Sequence, residues 1–428
     1  MKLTFDNRVL SGSINPLPVE DEVKKNIIMA SLCNRRSIIN NVVINKHIFE
    51  LIEAVELLGV KIKVTDYIYK RKTLIIQGKF PFDVKSDVIT VNSDMELLKK
   101  LVPLISVSSK QFAVKCKDIY VNKPLDTFYD IFFEYGEKGK NGDETQNPLR
   151  IKGGTEENTF YIRGDVDRHY FESLLFTLPL LSHNSHIIIE NELKCKRDLA
   201  NTIILLKQHG IKVSYSNDFQ EFHISGKQQY IPTEITIEND YGISSLWLCA
   251  DALGHKVILK NLTLKSNQRN KRILDILKAI GSNVLVSDDG NVFIDANKID
   301  AFRLNIAKYP DLLINLAIIA SVAKGTSRFA HADEVLINGK SIAVDLAHMI
   351  NSIGGNAIVF NGDLVVEGRE MLKGGVVEGI TEHRLIYALS IIARQCTGPI
   401  SIKLPKDPPE YYREYYRDFV HLGGEINT

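Results

Sequence analysis

The sequence predicts an α/β protein of two domains, each made of three copies of one small unit. Three observations carry that prediction. A helix that ends in glycine and runs directly into a β-branched segment recurs six times, the copies are evenly spaced, and 428 residues exceed what one compact core supports.

The copies follow in chain order. The first is Leu51 to Leu58, then Gly59, then Val60-Lys-Ile-Lys-Val64; the second is Tyr129 to Tyr135 with Gly136. The third is Ile203 to His209 with Gly210 and Ile211-Lys-Val213, and the fourth Ile276 to Ile280 with Gly281 and Ser282-Asn-Val-Leu-Val286. Ala347 to Ile353 with Gly354, and Phe419 to Leu422 with Gly423, complete the set. Apolar residues three and four apart before each glycine mark one buried helix face. The glycine takes the left-handed conformation that ends a helix and frees the chain to begin a strand. Successive glycines are 77, 74, 71, 73 and 69 residues apart, a period too long for common solenoid repeats and suited to a unit of two helices and several strands. The second copy is the weakest, because the polar stretch Glu137 to Asn147 blurs its strand.

Composition removes several classes. Fifty-three Lys and Arg against 52 Asp and Glu leave no global field for nucleic acid or anionic lipid, so any anion must be held by a local pocket. The strongest apolar run, Leu312 to Ala323, contains Asn315 and Ser321 and is far short of the roughly 20 residues that span a bilayer. The first residues, Met1-Lys-Leu-Thr-Phe-Asp-Asn-Arg8, show no apolar signal segment, which leads to a cytoplasmic expectation. Cys33, Cys116, Cys195, Cys249 and Cys396 are widely separated and read as reduced and mostly buried. His183 and His186 form an HxxH beside the strand-like Ile187-Ile-Ile-Glu190, which reads as two solvated turn histidines, so no metal and no cofactor are expected.

Particular runs sharpen the picture. Ile306-Ala-Lys-Tyr-Pro-Asp311 opens an Ala-rich helix that leads to Lys324-Gly-Thr-Ser-Arg328. Ser244-Ser245 with Ala250, Gly254 and Val257 is followed by Ser266-Asn-Gln268; Pro148-Leu-Arg-Ile-Lys-Gly-Gly154 and Glu382-His383-Arg384 complete the pattern. On these runs the chain resembles the enolpyruvyl transferases, most closely the 5-enolpyruvylshikimate-3-phosphate synthase family, over essentially its full length. The resemblance implies an inside-out α/β barrel in each domain, with helices between sheets. It also implies domains of residues 1–13 plus 230–428 and of residues 14–229, joined by two hinge crossings that let them close on substrate.

The implied partners are phosphoenolpyruvate and shikimate 3-phosphate, with no nucleic acid and no membrane, and the implied state is a monomer. The reaction adds phosphoenolpyruvate to the 5-hydroxyl through a tetrahedral intermediate that loses phosphate. It calls for arginines and lysines around two phosphates and a carboxylate, and for a carboxylate that handles a proton. By resemblance Asp311 is that carboxylate, although an Asp after proline at a helix start also suits a cap. Arg384, preceded by His383, falls on an arginine that binds phosphoenolpyruvate.

Other positions depart from the family pattern. Pro18-Val-Glu-Asp21 stands where Gly-Asp-Lys-Ser opens the first helix, with Lys25 on the arginine that follows. Exchanging a cation for an anion about 4 Å from a unit charge is worth roughly 4 kcal/mol at an effective dielectric near 20, with the sign reversed. Asp167-Arg168-His169 replaces Ser-Ser-Gln, Cys195-Lys196 replaces Ser-Lys, and Asn338-Gly-Lys340 replaces an acid and an arginine, leaving Lys340 as a substitute cation. Glu410, with Lys406 nearby, stands on a lysine, and Asn92 to Glu96 lacks the family's glycines and arginine. Three readings stay open at this level: a divergent synthase whose substitute cations rebuild the site, an enolpyruvyl transferase with another acceptor, and a non-enzymatic binding module.

Overall fold

A computed structural model describes residues 2–68, 71–82, 88–91, 95–107, 112–116, 149–151, 158–288, 290–295, 298–337, 339–380, 382–403 and 412–425. The second joint at Tyr129–Gly136, the pair Gly153–Gly154, Asn92 to Asp94, Asn338, Lys406 and Glu410 lie outside these residues. The chain divides into one unit of Met1–Leu17 with Glu238–Thr428 and a second of Pro18–Ile237.

Apart from the two-stranded pair Leu336–Ile337 with Lys340–Ser341, each sheet of the described residues has one parallel pair of strands extended by antiparallel strands. In the unit Pro18–Ile237, Thr159–Ile162 runs parallel to Ser185–Ile189, which pairs antiparallel with Glu221–Ile224, itself antiparallel to Ser214–Tyr215. The helices Arg168–Thr177 and Lys196–Gln208 fill the two crossovers, giving one complete βαβαββ repeat. In the other unit, Arg303–Asn305, Thr326–Ala330, Asp363–Glu367 and Asn356–Phe360 follow the same order.

The crossings between units lie a few residues later than positions 13 and 230, for a reason of strand pairing. Ser11–Ile14 is hydrogen-bonded along its length to Lys256–Leu259, and Glu234–Thr236 to Arg36–Val42, so each strand finishes a sheet before the chain leaves it. Likewise Lys2–Phe5 pairs antiparallel with Ile400–Lys403, so the first strand completes the last repeat.

Burial explains why helices are inside and sheets outside. Every residue of Leu313–Ala320 is buried, as is every residue from Val23 to Ser31 in the helix Glu20–Ser31. A helix buried all round belongs to a core. Strands such as Lys256–Leu259 and Glu221–Ile224 alternate exposed and buried residues, the signature of a sheet with one face in water. Five of the six repeat glycines are described, and all have φ between 84° and 103°. Cys33, Cys249 and Cys396 are buried free thiols and Cys195 is half-buried. Among the described residues no helix is long and apolar enough to cross a membrane.

Each unit has a buried histidine that ties its own core together. In His255, Nδ1 accepts from the Leu10 amide at 2.9 Å, so Nε2 carries the proton and donates to the Ile391 carbonyl at 2.9 Å. His209 places Nε2 2.9 Å from Asn26 Oδ1. Burial pushes both imidazoles down to about 4. A histidine whose folded pKa lies below its unfolded value contributes stability that is complete above about pH 6.5 and is lost as pH falls towards 4. Each is therefore expected to remove about 3 kcal/mol across that window. Urea midpoints measured from neutral pH to pH 4 check this, and His255→Gln is expected to remove its share of the slope.

Candidate active site and its ion-pair cluster

In the unit Pro18–Ile237 the polar and charged residues of four helices converge. The helix Glu20–Ser31 begins after Val19, which offers no side-chain cap. Glu20, Asp21 and Glu22 fill its first turn, where negative charge is favoured by the exposed amides and the helix dipole. Four residues on, Lys24 and Lys25 turn inward. Lys25 is 3% exposed, and its Nζ lies 2.7 Å from Glu172, 2.8 Å from Asp21 and 3.0 Å from Thr202 Oγ1. Glu172, on the helix Arg168–Thr177, is fully buried.

The other charges close around this pair. Arg168 reaches Asp21 at 3.4 Å, Asp198 at 3.5 Å and Glu172 at 4.0 Å. Lys100, from the helix Met95–Ser106, lies 2.6 Å from Glu96 and 3.3 Å from Asp21. Lys24 bridges Glu20 and Glu96 at 3.0 and 3.2 Å. The Nδ1 of His169 lies 3.4 Å from Glu172 and 3.8 Å from Glu96. Asp167 caps its helix by accepting from the His169 amide and also pairs with Lys99 at 2.6 Å. Buried charges persist only when paired and hydrogen-bonded, and here Lys24, Lys25, Lys100, Arg168, Asp21, Glu96 and Glu172 each meet at least two of the opposite sign.

The titration behaviour follows from that arrangement. Burial pulls the Asp21 carboxyl upward, but Lys25, then Lys100 and Arg168, overcome it and hold it far below the ordinary range. Burial likewise opposes the charge on Lys25, and Glu172 and Asp21 reverse the balance and raise its pKa. Asp21, His169 and Glu172 also place potential metal-ligating atoms within 4.8 Å of one another. The Lys25 ammonium sits against both carboxylates, where a cation would bind, so this cluster is already neutralised.

Lys196 opens the adjoining helix Lys196–Gln208, half-buried, and its charge is felt at Asp218. Lys25, Arg168 and His169 are thus brought together around Glu172, while Lys196 stands at the edge of the same helix layer. The sequence suggested that these cations face phosphate. In the structure Lys25 and Arg168 face carboxylates of their own unit.

In the unit Met1–Leu17 with Glu238–Thr428, Asp311 lies inside the 3₁₀ turn Pro310–Leu312 that leads into Leu313–Ala320. Its side chain caps neither segment, which removes the helix-cap alternative. Oδ2 instead accepts from Arg269 at 3.2 Å and from Asn270 Nδ2 at 3.1 Å, and the side chain is 44% exposed. Gln268, which precedes them, is anchored: its Oε1 accepts from the Tyr241 amide at 2.9 Å and its side-chain amide donates to the Asn239 carbonyl at 2.8 Å. Asp240 caps the helix Tyr241–Ala252 through Gly242 and Ile243, and burial, with Asp311 adding to it, raises its pKa.

His383 and Arg384 begin the helix His383–Ile392, with Glu382 as cap accepting from the Arg384 amide at 3.1 Å. Glu382 also lies 3.0 Å from Arg384 Nε and 3.2 Å from His383 Nδ1. Burial lowers the His383 pKa, with Glu382 opposing and Arg384 assisting. Lys340 is exposed in the two-residue strand Lys340–Ser341.

The residues missed in the sequence are Glu96, Lys100, Glu172, Asp198, Arg269 and Asn270. A signal for the first three existed, because Glu20–Lys24, Asp21–Lys25, Glu96–Lys100 and Arg168–Glu172 are all opposite charges four apart. Arg269 and Asn270 directly follow the Ser266-Asn-Gln268 run.

The profile of EPSP synthase (3-phosphoshikimate 1-carboxyvinyltransferase) matches residues 7–417 of this chain. The chain belongs to the EPSP synthase family. A 3-phosphoshikimate 1-carboxyvinyltransferase of Clostridium kluyveri is 31% identical over 430 residues, covering 97% of this chain and 98% of the relative. One from Clostridium novyi (strain NT) is 29% identical over 422 residues, covering 98% and 96%. The solved structure of an EPSP synthase from Acinetobacter baumannii aligns over 100% of both chains with a TM-score of 0.81 at 14% identity, a likeness of fold. The two-domain inside-out α/β barrel is therefore the architecture of an EPSP synthase family member.

Proposed function

We propose that this chain transfers the enolpyruvyl group of phosphoenolpyruvate to the 5-hydroxyl of shikimate 3-phosphate and releases phosphate. The observation that carries the reading is Asp311, a partly exposed carboxylate outside any helix cap, steadied by the fork of Arg269 and the amide of Asn270. Full-length likeness to relatives bearing the name of that transferase supports it. In the addition, the hydroxyl loses its proton and its oxygen attacks C2 of phosphoenolpyruvate while C3 gains a proton, so the C2–C3 double bond becomes single. In the elimination, C3 loses a proton and the C2–O bond to phosphate breaks. A carboxylate beside the reacting carbons serves as the proton carrier in such a sequence, and Arg384, His383 and Lys340 are the cations and donor this unit offers to the anionic substrate.

A second reading, a catalytically degenerate relative, is favoured by one specific observation. Lys25 and Arg168, the cations available to a phosphate in the other unit, are held by Asp21, Glu172 and Asp198. The deciding measurement is phosphate release by the purified protein given both substrates, alongside the thermal shift each produces alone. Release that needs both substrates supports the transferase. No release and no shift from either ligand supports the degenerate relative.

A further inference from the structure

A second group of side chains lies on the outer face of the sheet that contains Glu221–Ile224. The strands Ser185–Ile189 and Glu221–Ile224 pair antiparallel with His186 directly opposite His223. Side chains alternate along a strand, so Glu221 shares the face of His223 and points to the same place. The two imidazoles stack with centroids 4.2 Å apart and planes 19° from parallel. The Nε2 of His186 lies 3.7 Å from Glu221 Oε2, and the Nε2 of His223 lies 3.6 Å from the same oxygen.

Neither distance is a hydrogen bond. The Nε2 of His186 is shielded from solvent and has no hydrogen-bond partner among the described residues. Three potential ligand atoms therefore lie within 4.8 Å of one another without hydrogen-bonding one another. A tetrahedral zinc ion with Zn–N of about 2.0–2.1 Å and Zn–O of about 2.0–2.2 Å requires donor atoms roughly 3.3–3.5 Å apart. The two separations from Glu221 Oε2 need to shrink by only a few tenths of an ångström, and the stacked rings tilt toward a shared ion on binding. Two imidazoles and one carboxylate suit a borderline first-row cation and not Mg²⁺ or Ca²⁺, which take oxygen ligands. Beside the two histidines is a groove of about 300 Å³, lined also by Asn158, Thr159, Asn184 and Ser225.

We propose that His186, His223 and Glu221 form a surface site for a divalent first-row cation of the zinc type. The HxxH of His183 and His186 is not its basis; the partner of His186 is His223, 37 residues away and opposite across the sheet. The site shares no residue with the cluster around Lys25 or with Asp311, and stands whether or not the chain is a transferase.

The test is calorimetric titration of metal-free, full-length protein with Zn²⁺ at neutral pH, with Co²⁺ as a spectroscopic probe. The expected result is one ion per chain, and Co²⁺ d–d bands of a nitrogen and oxygen site without thiolate charge transfer. His186→Ala and His223→Ala are each expected to lose at least about tenfold in affinity, a scale on which even outer-shell partners of a metal register. Zn²⁺ is expected to raise the thermal midpoint of the parent and not of the double variant, whose metal-free midpoint matches the parent. No binding at millimolar Zn²⁺, a thiolate signature with Co²⁺, or unchanged affinity in the double variant overturns the proposal.

Discussion

Glu172→Ala is expected to destabilise the unit Pro18–Ile237 by about 3–5 kcal/mol, the cost of breaking a buried ion pair by removing one partner. Glu172 is fully buried and lies 2.7 Å from Lys25, 3.4 Å from His169 Nδ1 and 4.0 Å from Arg168. Truncation leaves the Lys25 ammonium in the core with Asp21 as its remaining carboxylate, so the value should fall near the lower end of that range. Glu172→Gln keeps an acceptor for Lys25 and is expected to cost less. The double change Lys25→Met with Glu172→Leu is expected to recover most of the stability, because apolar residues of similar volume replace buried ion pairs with little or no loss. Equilibrium urea unfolding followed by far-UV circular dichroism measures all three. A loss of under about 1 kcal/mol for Glu172→Ala would show that water reaches the pair and that the cluster behaves as a surface network.

Asp311→Asn is expected to lower kcat for phosphate release by about 10²–10⁴-fold, the span typical for loss of a positioned acid or base. Asparagine retains an oxygen for Arg269 and Asn270, which now bond Asp311 at 3.2 and 3.1 Å, so the fold and substrate affinity are expected to change little. The informative readout is the separation of kcat from KM, together with loss of the limb of the pH profile that reports a carboxylate. Parental kcat in this variant would remove Asp311 from the proton transfers.

Much of the fold was legible because it rests on local rules. A glycine at the end of an amphipathic helix can be recognised wherever it occurs, and five of the described repeat glycines do adopt left-handed φ. The crossings between units were less legible. Ser11–Ile14 and Glu234–Thr236 each belong to a sheet whose other strands are distant in sequence, and a short strand carries no mark of which neighbour it will join. The site was legible in part. Asp311 was singled out by the run around it, yet Arg269 and Asn270, which hold its carboxylate, are 42 and 41 residues away.

The charge pairs show where the division falls. Asp21–Lys25, Glu96–Lys100 and Arg168–Glu172 are spaced to meet on one helix face, which the sequence by itself determines. Such pairs most often lie in water, where their contribution is small. Only the packing of the helices Glu20–Ser31, Met95–Ser106 and Arg168–Thr177 decided that these three pairs would face one another, with Lys25, Lys100 and Glu172 buried and the charges mutually neutralising. The overall balance of 53 basic to 52 acidic residues could not express that, because a net charge sums over positions and the energy of a charge depends on its neighbours and on its distance from water.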